Sequence, residues 1–265
     1  MSEAAGNGPR WVDLEGAANA RDLGGLPLTR GGSTASGVLL RADNLQELSA
    51  WDVRRLVDEL GVRIVVDLRT SVEVELEGPG PLAGDGRVEV RRRSLYPEAG
   101  ERTDIDVGAI FPWRVRGGGD DSSEPAPIRA YLGYLRDRPD SVVAALRDVA
   151  GARGATIVHC AAGKDRTGVV AAFALAVAGV RRDAIVADYV ATEERLAPLV
   201  ARLRASTTYA ADLHGRTLDS HRPRAETMER VFDMLEERHG GPIGWLAQHG
   251  FDARDVAALR ARLAG

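Results

Sequence analysis

Between Ala155 and Val180 the chain changes character twice, and this stretch constrains the fold more than any other. Ala155-Thr-Ile-Val-His159 is short and rich in β-branched residues, the composition of a buried strand. Val169 to Val180 is apolar nearly all round, so the helix it predicts must be enclosed on every side. Joining them is His159-Cys-Ala-Ala-Gly-Lys-Asp-Arg-Thr-Gly168, which leaves room only for a tight loop. A buried strand that turns directly into a central helix is the repeating unit of an α/β protein.

The remaining pattern agrees. Val38-Leu-Leu-Arg41, Val62 to Asp67 and Val88-Glu-Val90 read as further strands, and Ser49-Ala-Trp-Asp52 reads as a capping box. Val53, Leu56, Val57 and Leu60 form one helical face that stops at Gly61. Residues 97–126 are rich in Gly, Asp, Ser and Pro and read as a surface loop. Ile128, Tyr131, Leu132 and Leu135 mark one helix, and Val142, Val143, Leu146 and Val149 mark the next. From Arg182 onward the pattern is helical, with segments near 183–205, 222–238 and 252–263. No repeat or linker divides the chain. The expectation is one α/β domain over 11–265 with a mainly parallel sheet, a helical C-terminal half, and a disordered N-terminus at 1–10.

A net charge of −4 argues against bulk electrostatic binding to nucleic acid or anionic membrane. No apolar run is long enough for a membrane span, and the first ten residues lack the marks of a signal peptide. The cytoplasm is the expected location, with export by a route that needs no cleavable signal left open. A single cysteine excludes an internal disulfide and any multi-cysteine metal site. No cofactor is expected. Of 35 basic residues only Lys164 is lysine, and it stands four residues after Cys160. Chance is one explanation. The other is that a compact ammonium does there what a guanidinium cannot.

Cys, five residues, Arg between a strand and a helix is a pattern with a chemical reason. A free thiol is mostly protonated at neutral pH, and the N-terminus of a helix stabilises its thiolate. The same unpaired N–H groups can cradle a tetrahedral dianion, and Ala161, Ala162 and Gly163 are small enough for the backbone to curl around it. Arg166 offers a planar fork for two phosphate oxygens. Thr167 can donate to the sulfur and His159 can anchor the loop. A Walker phosphate loop is excluded, because Asp165 follows Lys164 and Val158 stands where that motif needs glycine. A sulfur-transfer loop would also carry a cysteine, but the Gly-Lys-Asp-Arg-Thr run favours phosphate. The remaining alternative makes Cys160 a small buried hydrophobe at the end of a strand.

The loop resembles the signature of the cysteine-based protein tyrosine phosphatases, and more narrowly that of the bacterial group typified by mycobacterial protein tyrosine phosphatase B. Asn19-Ala-Arg-Asp-Leu-Gly-Gly25, Leu40-Arg-Ala-Asp-Asn-Leu45, Val65-Val-Asp-Leu-Arg69 and Ile185-Val-Ala-Asp-Tyr189 carry the resemblance along most of the chain. It implies a four-stranded parallel sheet wrapped by helices, no metal, and part of the C-terminal half serving as a lid. It also implies hydrolysis of phosphotyrosine, extending to phosphoserine, phosphothreonine and phosphoinositides. Ala161 departs from it, since a bulky aromatic is expected after the cysteine. Its wall of the pocket mouth is therefore lighter.

In the mechanism so implied, Cys160 attacks phosphorus, a carboxyl protonates the leaving oxygen, and the same carboxyl then activates water. Asp165 is the leading candidate for that acid; orienting Arg166 or capping the helix is its alternative. The phosphate would contact Ala161 to Arg166, Lys164 included. Asp22 fits an Asx turn or a brace for the loop. Asp67 ends a central strand, where it can be a buried cap or touch the site. Asn19 and Asn44 are two of three asparagines and suit scaffolding. Arg91, Arg92 and Arg93 read as a solvated face before a substrate rim, and His214, His221, His239 and His249 as surface residues. Substrate partners are a phosphoprotein or, as the runner-up, a phosphoinositide. A phosphate-binding module without turnover is a third reading, disfavoured because both Cys160 and Arg166 are present.

Overall fold

A computed structural model describes residues 9–97 and 123–264. Most of the expected surface loop therefore lies outside the described residues, as does most of the N-terminal segment.

Strands β1 (Arg10–Trp11), β2 (Arg21–Asp22), β3 (Leu39–Ala42), β4 (Val62–Asp67), β5 (Glu89–Arg92) and β6 (Ala155–His159) form one sheet in the order β1-β2-β3-β6-β4-β5. The last four in that order are parallel, as the resemblance implied. The two short strands beyond β3 pair antiparallel, which makes the sheet six-stranded. They escape a reading of hydrophobic runs because each is two residues long and charged.

Alternation along the parallel strands divides the core. Leu39, Ile64, Val66 and Val158 face one hydrophobic cluster, and Leu40, Ala42, Val65 and Ile157 face the other. The second face is covered by residues 12–20 and by α1 (Ala50–Arg54), which runs on as a π-helical turn through Leu56 and Val57. Asp52 closes the expected capping box with Ser49. Next in the chain is α2 (Ser71–Glu77), capped in the same way by Thr70 and Glu73.

The first face is covered by α3 (Ala126–Asp137), α4 (Pro139–Ala150) and α5 (Asp165–Ala178). All but two residues of α5 are buried, which is why its sequence shows no polar face. The C-terminal half supplies α6 (Arg182–Ala191), α7 (Leu196–Ala205), α8 (Ala210–Leu213), α9 (Ala225–His239), α10 (Gly241–Gln248) and α11 (Ala253–Ala264). Of these, α6 and α9 to α11 complete the same cluster. The segment containing α7 and α8 makes a separate one with Ala161. Among the described residues, no helix is long and apolar enough to cross a membrane.

Candidate active site

The C-terminal ends of β3, β4 and β6 bring Asp43, Asp67 and His159 to one rim of the sheet, where open parallel sheets gather their sites. Cys160 follows at once and is 2% exposed. The loop that it starts has its carbonyl groups held from outside. The Ala161 carbonyl accepts from the Asn44 amide at 3.0 Å, and that of Ala162 from Asn19 Nδ2 at 3.0 Å. Arg41 Nη2 donates to the Gly163 carbonyl at 2.7 Å. The Lys164 carbonyl accepts from the Gly168 amide, inside the first turn of α5. None of the backbone N–H groups of residues 161–166 donates to a backbone carbonyl among the described residues. With the carbonyls turned outward, those N–H groups are left for an anion.

Gly163 makes the turn possible. Its φ is +63°, and a Cβ there would stand 2.4 Å from the Ala42 carbonyl oxygen. Gly168 has a different reason, since a Cβ would press to 3.2 Å from the Tyr189 ring. The Asp188-Tyr189 pair singled out in the sequence thus meets the loop twice. Asp188 also takes Arg41 Nη1 at 2.6 Å and Arg21 Nε at 2.7 Å, which aims Arg41 at Gly163.

Arg166 is 4% exposed and forks onto Glu73, with Nη1 2.6 Å from Oε2 and Nη2 2.8 Å from Oε1. Nη1 also donates to the Leu68 carbonyl, and the Tyr96 ring lies 5.4 Å from the guanidinium carbon. Both Nη1 hydrogens and one on Nη2 are then taken. Nε–H and the other Nη2–H remain, side by side on one edge, and that edge matches two oxygens of a phosphate. Burial opposes ionisation of Glu73, but Arg166 and the Thr70 amide outweigh it and hold the carboxyl below its ordinary range. The buried pair therefore stays charged. Glu73 escaped the sequence reading because its partner is 93 residues away; the Thr70-x-x-Glu73 capping pattern was its only visible sign.

At the foot of the loop His159 Nε2 lies 3.5 Å from Asp67 Oδ1, and Nδ1 lies 3.4 Å from the Cys160 carbonyl. Burial pulls its pKa down to about 4, so the imidazole is neutral near pH 7. Asp67 is buried as well, and Arg69 grips it through Nε at 2.9 Å and Nη2 at 2.6 Å. These contacts match the buried cap of its two readings. Asp165 opens α5, and its Oδ1 accepts from the Tyr131 hydroxyl at 2.5 Å. Lys164 Nζ lies 3.6 Å from that same oxygen and donates to the His221 carbonyl at 2.8 Å.

Several expectations need correction. Asp22 does not brace the loop: its carboxylate accepts from the Gly24 and Gly37 amides, closing a local Asx turn at the sheet edge. Asn19 does the bracing instead. Thr167 does not bond to the sulfur, and its buried Oγ1 has no hydrogen-bond partner among the described residues. It sits inside the first turn of α5, where χ1 is confined. His221 is buried, since the segment that carries it folds back to Lys164. Arg91 and Arg93 each pair with Asp148.

Above the loop, Ala161 packs with Leu196, Leu199, Val200, Leu203, Tyr209 and Leu213. Tyr209 donates its hydroxyl to Glu73 at 3.1 Å, and Ser206 donates to Glu77 at 2.6 Å. No group of three or more potential metal-ligating side chains occurs among the described residues.

A family model described as the tyrosine phosphatase family matches residues 12–265. The tyrosine-protein phosphatase of Nostoc commune is 30% identical over 249 residues, covering 89% of this chain and 78% of that protein. The triple specificity protein phosphatase PtpB of Mycobacterium tuberculosis is 29% identical over 281 residues, covering 96% of this chain and 99% of that protein.

Proposed function

The chain belongs to the tyrosine phosphatase family, and on that premise we propose that it hydrolyses phosphotyrosine, and also phosphoserine and phosphothreonine, through a phosphocysteine at Cys160. The observation that carries this reading is the hydrogen-bond accounting at the loop. Outward carbonyls and the open edge of Arg166 leave donors converging on the space beside the sulfur, as an equatorial phosphoryl group requires.

In the first step the Cys160 thiolate forms an S–P bond while the ester P–O bond breaks, and Asp165 passes its proton to the departing oxygen. In the second, the Asp165 carboxylate takes a proton from water. The water oxygen bonds to phosphorus, the S–P bond breaks, and inorganic phosphate leaves a restored thiolate. Arg166, neutralised on one side by Glu73, follows the charge on the phosphoryl oxygens. Lys164 contacts the same anion or the substrate beyond it. Because Cys160 is covered, the segment from Leu196 to His221 acts as a lid that opens before substrate enters.

A phosphoinositide is the second reading. It is favoured by the one lysine ammonium of the chain, which is held by the His221 carbonyl and would be released by the same opening. The name of the mycobacterial relative, with its triple specificity, keeps a broad substrate range in view. Assays on phosphopeptides and lipid head groups side by side separate the two.

The mechanism is tested with two variants. Cys160→Ser should lose turnover and keep phosphate binding, because a serine alkoxide is far scarcer than a thiolate at neutral pH. Asp165→Asn should slow phosphotyrosine by about 100-fold, and nitrophenyl phosphate, whose leaving group is already a stable anion, much less. Turnover by Cys160→Ser would end the covalent mechanism, and equal losses on both substrates would remove Asp165 as the acid.

A further inference from the structure

All five tyrosines of the chain are tied to the phosphate loop directly or through one another, while no phenylalanine among the described residues makes a ring contact there. Packing alone would accept either ring, so the hydroxyl groups call for a reason. Tyr96 bonds to Tyr134, and Tyr209 bonds to Glu73. Tyr131 alone meets a residue that carries protons in the proposed mechanism. Its hydroxyl is 2.5 Å from Asp165 Oδ1 and 2.8 Å from the Tyr189 hydroxyl.

We infer that Tyr131 is the positioning residue for Asp165: it fixes Oδ1 and leaves Oδ2 to exchange the proton with the leaving oxygen and then with the attacking water. This rests on the reading of Asp165 as the acid. The two groups that face the carboxyl, Tyr131 and Lys164 Nζ, both address Oδ1, and Oδ2 has no partner among the described residues. Tyr131 is the rigid member of that pair. It is fully buried on α3, its ring stacks on Tyr134, and Tyr189 meets it edge-on. The lysine, by contrast, is tied to the segment above the loop. Burial, reinforced by the neighbouring Asp165 charge, pushes ionisation of the Tyr131 phenol far above its ordinary range. It therefore remains a donor wherever the enzyme works. Gly168 belongs to the same arrangement, since only a residue without a side chain lets the Tyr189 ring approach α5.

A purely structural role, tying α3 to α5, would slow every substrate alike. Positioning of an acid would not. Tyr131→Phe keeps the ring and removes the bond. It should lower kcat on phosphotyrosine by roughly tenfold, leave nitrophenyl phosphate within about threefold, and leave inhibition by inorganic phosphate unchanged. Added to Asp165→Asn, it should cost nothing further on phosphotyrosine, because the two residues act as a unit. Tyr189→Phe, which removes only the bond that orients the phenol, should give a smaller loss of the same pattern, and it carries the test if Tyr131→Phe folds poorly. An equal loss on both substrates, or a loss that adds to that of Asp165→Asn, overturns the inference. Should Asp165→Asn itself slow both substrates equally, the acid assignment has failed and takes this inference with it.

Discussion

Beneath Cys160, the loop carbonyls are held by donors from β3, from the turn after it and from Asn19, most of them buried. Above it, the segment from Leu196 to His221 rests on a small apolar cluster and a few hydrogen bonds. The floor is over-determined and polar. Its donors are fixed before an anion arrives, which is what electrostatic stabilisation of a transferring group needs. The covering segment is held in large part by apolar packing, which suits the access to Cys160 that the proposed mechanism needs. Glu73 is one point where the two meet, because it accepts from Arg166 below and Tyr209 above.

The severest way to break this contrast is to disturb the floor at that meeting point. Glu73→Gln leaves a buried guanidinium without its counter-charge. We expect about 3–5 kcal/mol of stability to be lost in denaturant unfolding. A loss below about 1 kcal/mol would mean that the floor is not held by charge.

The cover is probed from its apolar side. Leu199 is 1% exposed within the cluster over Ala161, and Leu199→Ala leaves a cavity there. Alkylation of Cys160 by iodoacetamide should then quicken by at least about tenfold, since ~1.4 kcal/mol of easier opening suffices for that factor. An unchanged alkylation rate would show that this segment does not control access.

The smallest effect sharpens the contrast through pH. His159, in the floor, has a folded pKa of about 4 against an ordinary 6.5. Its folded pKa is depressed, so between those values the unfolded chain binds the extra proton. Stability is then fully present above about pH 6.5 and falls as the pH drops towards 4, by at most ~1.4 kcal/mol per unit. His221, in the cover, is also held near 4, chiefly by burial and then by Lys164, and adds to the same window. His159→Asn should flatten the fall measured by chemical denaturation at stepped pH. A slope equal to that of the parent would assign the whole effect to other groups.

The strand, the loop and the buried helix were legible because their constraints are local: β-branched runs, a glycine at the turn, and an apolar helix with no polar face. The C-terminal helices were legible too, apart from α8, which is four residues long, and α10, which begins at the Gly240-Gly241 break and is short. What the residues could not reveal alone was pairing at a distance. Glu73 and Arg166, Tyr131 and Asp165, and Lys164 and His221 each meet across 34 or more positions. Tyr131 in particular reads as one apolar mark of a helix, and nothing in its spacing discloses where the hydroxyl points. Asp22 shows the opposite case: the Asx turn offered by its local sequence is what its contacts with the Gly24 and Gly37 amides close, and only the brace for the loop fails.

Lys164 holds the only ε-amine of the chain, and in the closed arrangement it is 8% exposed and bonded to the segment above it. Any chemistry that modifies lysine side chains, whether enzymatic acylation, ubiquitin transfer or a synthetic active ester, thus has a single lysine target in the chain. It is shielded while the site is shut. Modification there would remove the charge beside the phosphate loop and cut the bond to His221 in one event. Under the proposed opening of this segment, lysine-directed labelling read at Lys164 is a one-position clock whose rate counts how often the site opens.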